Sequence, residues 1–584
     1  MIADVVFDLP GERSFSYLVP PGLTLRPGQR VAAPLRGRPR VGVVVEVRES
    51  QAAGLASIAR VVDPVPLVPA SSLALARWAA AESLSSWGST LLALLPPPPG
   101  ASGAEPMALP AEPRASAKPT AELWVGAGRE ARLVDELGAA RGSALVIAPD
   151  RETAARWAAR LDGARLDGDA PAAERRAVWL AAARGRTRTV VGTRSALLAP
   201  VPPPATLAVV DEADAAHKPP GHPRLHSREI MVERAWIEGG RLLLLAAAPA
   251  AETWWRARAE GWTLRDHTLG PWPEVVTADT RGILRNHPLT LPLTRAIEET
   301  TRGGRRVALL VGRRPAGLGC AECGALLRCP DCGLPLGHQR ARAMLSCALC
   351  GRLEPLPDRC PGCRGHRFAS LGWDADRVEA SVRRRFPRLS VSRTDVRAQV
   401  VIGTSRVIRA AGPGELGAVG VVALDALLGA PDFRAGERAF GLLWTAAEAV
   451  RPGGRLVVQT RHPEHEAVRA VTRRQRAAFY GPELAFREEL GYPPFRRLCR
   501  ITARGGAGGG AARALVQECA RALEGIADLK VYPPAATGLA GARVRLLVKG
   551  PATLPRLIRE LLADVLAKRR RADRVVEVEM DPVS

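Results

Sequence analysis

At 584 residues the chain is too long for a single hydrophobic core, and about three to five domains are expected. Hydrophobic residues at 47% and charged residues at 24% exclude a largely disordered chain, while aromatic residues are sparse at 4%. The 83 basic against 59 acidic residues give a net charge of +24, a footprint for a polyanion and for nucleic acid before all, although nucleotide bias also enriches Ala and Arg.

The excess is carried by arginine, since there are only five lysines, Lys118, Lys218, Lys530, Lys549 and Lys568. No run approaches the roughly 18 apolar residues of a membrane span. Met1 to Pro10 carries aspartates in place of a basic and then apolar signal, so a cytoplasmic chain without a membrane partner is expected.

Residues 1–95 open with short apolar runs punctuated by Pro and Gly and ending in the strand-like Val41 to Val47, which predicts a small β-barrel; a helical stretch from Ser71 to Leu95 follows. Residues 96–120 are rich in Pro, Ala and Ser and read as a linker. From Ala121 the apolar runs Ala144–Ala148, Thr189–Val191, Leu207–Val210 and Leu242–Ala246 alternate with helical stretches, as in a parallel α/β sheet. The alternation resumes at Val307–Val311, Val400–Ile402, Gly420–Leu424 and Leu456–Val458, so two α/β lobes are expected, 121–262 and 263–478.

A weak internal repeat agrees. Val190-Val-Gly-Thr-Arg-Ser195 has a counterpart in Val401-Ile-Gly-Thr-Ser-Arg406, and each precedes a strand ending in an aspartate, Asp211 or Asp425. Residues 479–584 read as an α+β domain with a flexible Gly505 to Gly510 turn and a final strand Arg574 to Met580.

Eight of the ten cysteines form four Cys-x-x-Cys pairs inside 318–368: Cys320 and Cys323, Cys329 and Cys332, Cys347 and Cys350, Cys360 and Cys363. A two-residue gap lets both sulfurs of one turn reach one ion, and eight thiolates fill two tetrahedral zinc sites. Closed four-sulfur sites leave no position for water, so two structural Zn2+ per chain are expected. His338 and His366 are surplus to the eight ligands. Spacing alone leaves both nested and sequential pairing open.

Leu207-Ala-Val-Val-Asp-Glu-Ala-Asp214 is a strand delivering Asp211 and Glu212 to a loop, the arrangement with which P-loop enzymes hold magnesium and orient water. Acidic residues capping the next helix give the same pattern. The turn that should cradle phosphate, Trp124-Val-Gly-Ala-Gly-Arg-Glu-Ala131, offers Gly126, Gly128 and Arg129 but no lysine. No lysine occurs between Pro119 and His217, so no shift of register restores the G-x-x-x-x-G-K-[ST] pattern. Arginine differs from lysine in bulk and geometry, and ATP/Mg2+ chemistry is not expected.

The order of parts resembles the primosomal protein N′ family, the replication restart protein PriA family, over nearly the full chain. Carrying the resemblance are Phe15-Ser-Tyr-Leu-Val-Pro20, Gly28-Gln-Arg-Val31 and Pro34; Gly192-Thr-Arg-Ser195; the Asp211 and Glu212 pair; the cysteine insertion; Pro431-Asp-Phe-Arg434 with Glu437-Arg438; and Gly491-Tyr-Pro-Pro-Phe495. It implies two RecA-like helicase lobes with an inserted double-zinc module, and a 3′-end DNA-binding pocket at Phe15, Ser16 and Tyr17. Ser16 stands where the family has aspartate. It also implies nested zinc pairing, Cys320, Cys323, Cys360 and Cys363 on one ion and Cys329, Cys332, Cys347 and Cys350 on the other.

Three departures fall where ATP would be used. The phosphate turn lacks lysine, Ala246-Ala-Ala-Pro249 replaces a Ser-Ala-Thr motif, and an arginine-rich motif is reduced near Glu448-Ala-Val-Arg451. The resemblance then implies a restart factor that binds branched and single-stranded DNA, working with single-stranded DNA-binding protein, other primosome components and the replicative helicase. Phosphate contacts are expected at Arg383 to Arg385, Arg473, Arg474, Arg476 and Lys568 to Arg571. Two other readings remain: an active 3′ to 5′ helicase with an unorthodox nucleotide site, and a zinc-ribbon scaffold that binds proteins only.

Overall fold

In the computed structural model the described residues are all except 51–53, 99–118, 269, 282–286, 313–317, 331–334, 340–343, 348–351, 371–372, 374, 431, 506–509, 538–542, 568–569, 572–573 and 584. The expected linker, the Gly505 to Gly510 turn, Pro431, Cys332 and Cys350 thus fall wholly or largely outside the described residues, as do 568 and 569 of the expected phosphate contacts.

The chain is mixed α/β. An antiparallel five-stranded sheet opens it, in the order Ser14–Leu18, Ile2–Phe7, Arg38–Arg48, Arg30–Leu35, Arg60–Val61. The strands Ile2–Phe7 and Arg30–Leu35 are buried on both faces. Ala3, Val5 and Phe7 join Tyr17, Val31 and Val44 in the domain's own core, while Val6 and Val43 face the core shared with the helices Ala70–Glu82 and Trp87–Leu94. Pro96 and Pro97, placed in the linker by composition, belong to this unit, because their carbonyls accept from the buried Arg30 guanidinium at 2.7 and 3.3 Å.

Two all-parallel sheets follow. The first orders seven strands as Thr263–Asp266, Thr120–Val125, Arg241–Leu245, Ala205–Val209, Ser143–Ile147, Thr189–Gly192, Ala164–Leu166. The second orders six as Glu274–Asp279, Val450–Thr460, Leu416–Val421, Val307–Leu310, Val400–Gly403, Val391–Ser392. Near-continuous apolar runs serve here because helices cover both faces of such sheets.

Two expected boundaries move. Thr263–Asp266 pairs with Glu122–Val125, so the first lobe runs to Asp266 and not to 262. The division at 478 falls inside the helix Arg476–Leu490, whose Phe479 stacks on Phe440 of the second lobe at 4.2 Å.

Between the second lobe's strands lies the cysteine region, with the pair Leu318–Cys320 and Phe368–Ser370 at its base and a three-stranded sheet of Gly337–Gln339, Met344–Ser346 and Leu353–Pro355 beyond. The C-terminal sheet is antiparallel, and Arg497–Gly505 pairs with both Arg543–Gly550 and the final strand Arg574–Met580.

The end domains are tied to the lobes by buried polar groups. Asp63 pairs with Arg176 of the first lobe at 2.8 Å, and the buried Lys218 ammonium of the first lobe donates to the carbonyls of Met580 and Asp581; the half-buried Arg497 joins the end domains to each other, bridging Glu82 and Asp581 at 2.8 and 2.6 Å. Among the described residues no helix is long and apolar enough to cross a membrane.

Candidate functional site

The cysteine cluster is built from two turns. Cys320 ends one strand of the two-stranded base and Cys323 follows in the next turn, while Cys360 and Cys363 lie on a facing turn just before the partner strand. The four sulfurs lie within 4.8 Å of one another, with Cys320 to Cys363 at 3.6 Å and Cys323 to Cys360 at 3.7 Å. A tetrahedral site with Zn–S bonds of about 2.3 Å has sulfurs about 3.8 Å apart, so the set fits such an ion. Backbone N–H groups of Glu322, Ala325 and Gly362 donate to the sulfurs of Cys320, Cys323 and Cys360 at 3.3, 3.5 and 3.4 Å, which favours thiolates.

The structure thus joins the two outer Cys-x-x-Cys pairs, as the nested scheme has it. Of the inner pairs, Cys329 and Cys347 are both buried in one apolar cluster with Leu318, Leu336 and Leu345. His366 is exposed and His338 half-buried.

The cluster is seated on the second lobe through Arg461, which sequence reasoning missed. Asp425, the second aspartate of the repeat, is buried and accepts from Thr460 Oγ1 at 2.6 Å and from the backbone N–H of Arg461 at 3.0 Å. Arg461 is buried in turn and donates through Nη1 to the carbonyl of Cys320 at 2.6 Å. At Gly324, where φ is +82°, an added Cβ would stand 2.7 Å from Arg461 Cβ, so the metal turn needs glycine both for its backbone and for this approach. The repeat that paired Asp425 with Asp211 was the only sequence signal.

The phosphate turn of the first lobe is filled by the protein itself. Gly126, at φ +90°, is pressed against the end of the edge strand, and an added Cβ would stand 2.4 Å from Thr268 N. The Gly128 N–H donates to the His267 carbonyl at 2.8 Å and is therefore not presented to a phosphate. Arg129, at the start of the helix Arg129–Ala139, is 4% exposed, and its Nη1 donates to the Gly126 carbonyl at 2.8 Å and to Glu448 Oε2 at 2.5 Å. Of the expected phosphate donors, the Gly128 N–H and Arg129 Nη1 are thus engaged within the fold.

Glu212 is likewise committed. Fully buried, it accepts from Arg228 Nη1, the Ala250 N–H and Thr253 Oγ1, each at 2.8 Å, and so clamps the start of the helix Ala251–Ala259. Burial raises its carboxyl above the ordinary range against the pull of Arg228. Asp211 faces the cleft between the lobes. Burial pushes it up to about 6, although Arg129 and Arg409 act in the opposite direction.

The expected 3′-end residues split between two faces of one strand. Tyr17 is buried, with its hydroxyl donating to the Pro34 carbonyl at 3.0 Å, and Phe15 packs edge-on against Phe7 with ring centroids 5.8 Å apart. Ser16 lies on the opposite face and donates to Asp4 Oδ1 at 2.6 Å, while Arg48 pairs with the other oxygen at 3.3 Å. The expectation that all three line one pocket is corrected: alternation turns both Phe15, half-buried, and Tyr17, buried, to the face opposite Ser16. Arg476, expected at phosphate, instead pairs with Asp266 and Glu448 at 2.9 and 3.3 Å.

Comparison with known proteins places both ends of the chain in known domain families. Residues 4–96 match the family model of a PriA 3′ DNA-binding domain, and residues 488–583 match that of the primosomal protein N C-terminal domain. Replication restart protein PriA of Treponema pallidum is 27% identical over 86% of this chain and 86% of its own length. The Bacillus subtilis protein of the same name is 29% identical over 56% of this chain and 44% of its own. The probable replication restart protein PriA of Deinococcus radiodurans is 32% identical over 68% and 46%. The match thus spans most of the Treponema protein but less than half the length of the other two. With both end domains matched in their proper order and relatives aligning across the lobes between them, the chain belongs to the replication restart protein PriA family.

Proposed function

We propose that the chain is a replication restart factor: it recognises stalled or abandoned forks, binds their branched and single-stranded DNA, and promotes primosome assembly and reloading of the replicative helicase without hydrolysing ATP itself. The observation that carries the DNA-binding part is the match of residues 4–96 to a 3′ DNA-binding domain, on a chain with a net charge of +24. The polar edge of Ser16, Asp4 and Arg48 is the part of that domain offered to a strand end, with Phe15 behind it. Single-stranded DNA-binding protein and the other primosome components are the partners that this reading requires.

The absence of turnover is supported by chemistry at the first lobe. Phosphoryl transfer needs a cation on the transferred group, a magnesium ligand and an oriented water. Here Arg129 is paired with Glu448, and Glu212 has its oxygens filled by Arg228, Ala250 and Thr253.

Two zinc ions belong to the proposal, one on Cys320, Cys323, Cys360 and Cys363 and the other on Cys329, Cys332, Cys347 and Cys350. When bound they supply structure only, because four thiolates close the coordination sphere.

The test is retention of a synthetic fork against linear duplex at moderate salt, with phosphate release measured in the same samples. Tighter fork binding and no release is the expected result. Equal binding of both DNAs would favour a scaffold for protein partners. Release that Asp211→Asn abolishes would establish a motor.

A further inference from the structure

The three stretches at which the chain departs from the family's ATP motifs lie far apart in sequence, and they meet in the cleft between the two parallel sheets. Arg129, where the phosphate turn lacks its lysine, and Glu448, where the arginine-rich motif is reduced, are 319 residues apart and form one ion pair, 4% and 7% exposed. Without Glu448 the buried Arg129 guanidinium would lose the carboxylate it pairs with, and without Arg129 the buried Glu448 would keep only its longer ion pair to Arg476 at 3.3 Å, so the two departures complement one another.

The third stretch, Ala246 to Pro249, faces the same way. The Ala247 carbonyl accepts from Arg476 Nε at 3.3 Å, the Pro249 carbonyl accepts from Tyr480 Oη at 2.6 Å, and just beyond it the Ala251 N–H donates to Glu437 Oε1 at 2.6 Å.

Around these bonds the joint is dense. Glu252 of the first lobe meets Arg434 at 2.5 Å and Arg487 at 3.4 Å, and Arg487, fully buried, also pairs with Glu437 and Glu483 at 2.9 and 2.7 Å. Burial would raise the Glu252 carboxyl, yet the guanidinium groups of Arg434 and Arg487 hold it below the usual carboxylate range. Asp214 pairs with Arg409, and Arg156 donates to the Arg409 carbonyl at 2.9 Å.

Apolar contact fills the spaces between. Trp254 stacks on Tyr480 at 4.4 Å, and Leu123, Leu244 and Ala251 share one continuous core with Phe440, Trp444 and Phe479. Opening this cleft would expose that core and separate several buried charges from their partners at once, whereas a hinge between lobes needs an interface that parts cheaply.

We infer that the former motor cleft of this chain is a fused joint, in which Arg129, Glu448, Glu252, Arg487 and Tyr480 hold the two lobes in one fixed arrangement that nucleotide does not enter and DNA does not change. The inference rests on contacts between the lobes alone and stands whether or not the chain selects forks. A factor built this way presents its DNA and partner surfaces at constant spacing.

Hydrogen exchange read by mass spectrometry on the full zinc-loaded chain tests it, with the protein alone, with ATP and magnesium, and with forked DNA. The helices Arg129–Ala139, Ala251–Ala259, Ala435–Ala449 and Arg476–Leu490 are expected to exchange slowly and equally in all three samples. Exchange there as fast as in exposed loops, or a change on adding ATP, would overturn the inference, and both readings use the unaltered protein.

The variant Glu448→Gln should speed exchange in those helices by about tenfold or more, because Arg129 loses its counter-charge. The double variant Arg129→Met with Glu448→Met should return it to within about threefold of the parent, since an apolar pair fills the same space. Unchanged exchange in Glu448→Gln would show that the pair does not hold the joint. Loss of fork selectivity with the exchange pattern intact would count against the proposed function and leave the joint standing.

Discussion

The metal cluster and the interlobe joint are both built from residues that chemistry makes conspicuous, yet they are assembled on opposite scales. The cluster gathers thiols that lie within 44 residues, each pair on its own turn. The joint gathers charges from the helix Arg129–Ala139, the helix Ala251–Ala259 and two helices beyond residue 434, with its central pair 319 residues apart. A local site can be lost without the fold around it, whereas a joint made by the fold takes the arrangement of the lobes with it.

The largest expected effect breaks the comparison on the metal side. Structural zinc in small modules contributes about 10 kcal/mol or more, so chelation or Cys320→Ser should unfold 318–368 outright. Proteolysis should become confined to that region while the helical signal of the lobes persists. Loss of the lobes together with the metal would mean that the two regions fold as one unit. On the joint side, Glu448→Ala leaves both Arg129 and Arg476 short of a partner and should lower stability by about 3–5 kcal/mol, read as a fall in melting temperature with zinc content unchanged.

What could be read from the sequence follows the same division. Period and composition located both parallel sheets, because strand runs in a doubly covered sheet are apolar throughout and bounded by turns, and Arg574 to Met580 forms the final strand as expected, in the antiparallel C-terminal sheet. Edges were misplaced where an element was too polar to read. Thr263–Asp266 is exposed along its length and shows its place in the first sheet only through pairing with Glu122 to Val125.

The cysteine spacing announced a metal site, and the resemblance implied the nested grouping that the outer pairs adopt. The missing lysine was visible as well. Its consequence was not, since nothing near Arg129 names Glu448 as its partner, and nothing near Cys320 names Arg461. Residues whose partners lie across a fold carry no local signature.

A smaller effect should appear where the two regions touch. Arg461→Ala removes the donor to the Cys320 carbonyl and leaves Asp425 with fewer charges nearby, at about 1–3 kcal/mol for a buried hydrogen bond to a charged group. Zinc release to a chromogenic chelator should become several-fold faster while the melting of the lobes shifts little. Equal release rates would show that the module holds its ion without help from the second lobe.

The smallest effect concerns Asp211, and its sign depends on pH. In the fold its carboxyl is raised from an ordinary 3.8 to about 6, because burial outweighs Arg129 and Arg409. Between about pH 4 and 6 the folded chain therefore holds a proton that the unfolded chain has released, and its stability falls as pH rises through that window. Above pH 6 the ionised carboxylate is a standing cost, lessened at its partly exposed edge by water. Asp211→Asn removes that cost, so the variant should be more stable than the parent by about 1 kcal/mol at pH 8 and indistinguishable from it at pH 4. Denaturant midpoints at the two pH values decide the matter. A variant less stable than its parent at pH 8 would mean that Arg129 and Arg409 depend on the Asp211 charge and that the joint extends through it, whereas the expected gain would leave Glu448 and Asp214 as the carboxylates that hold those arginines in place.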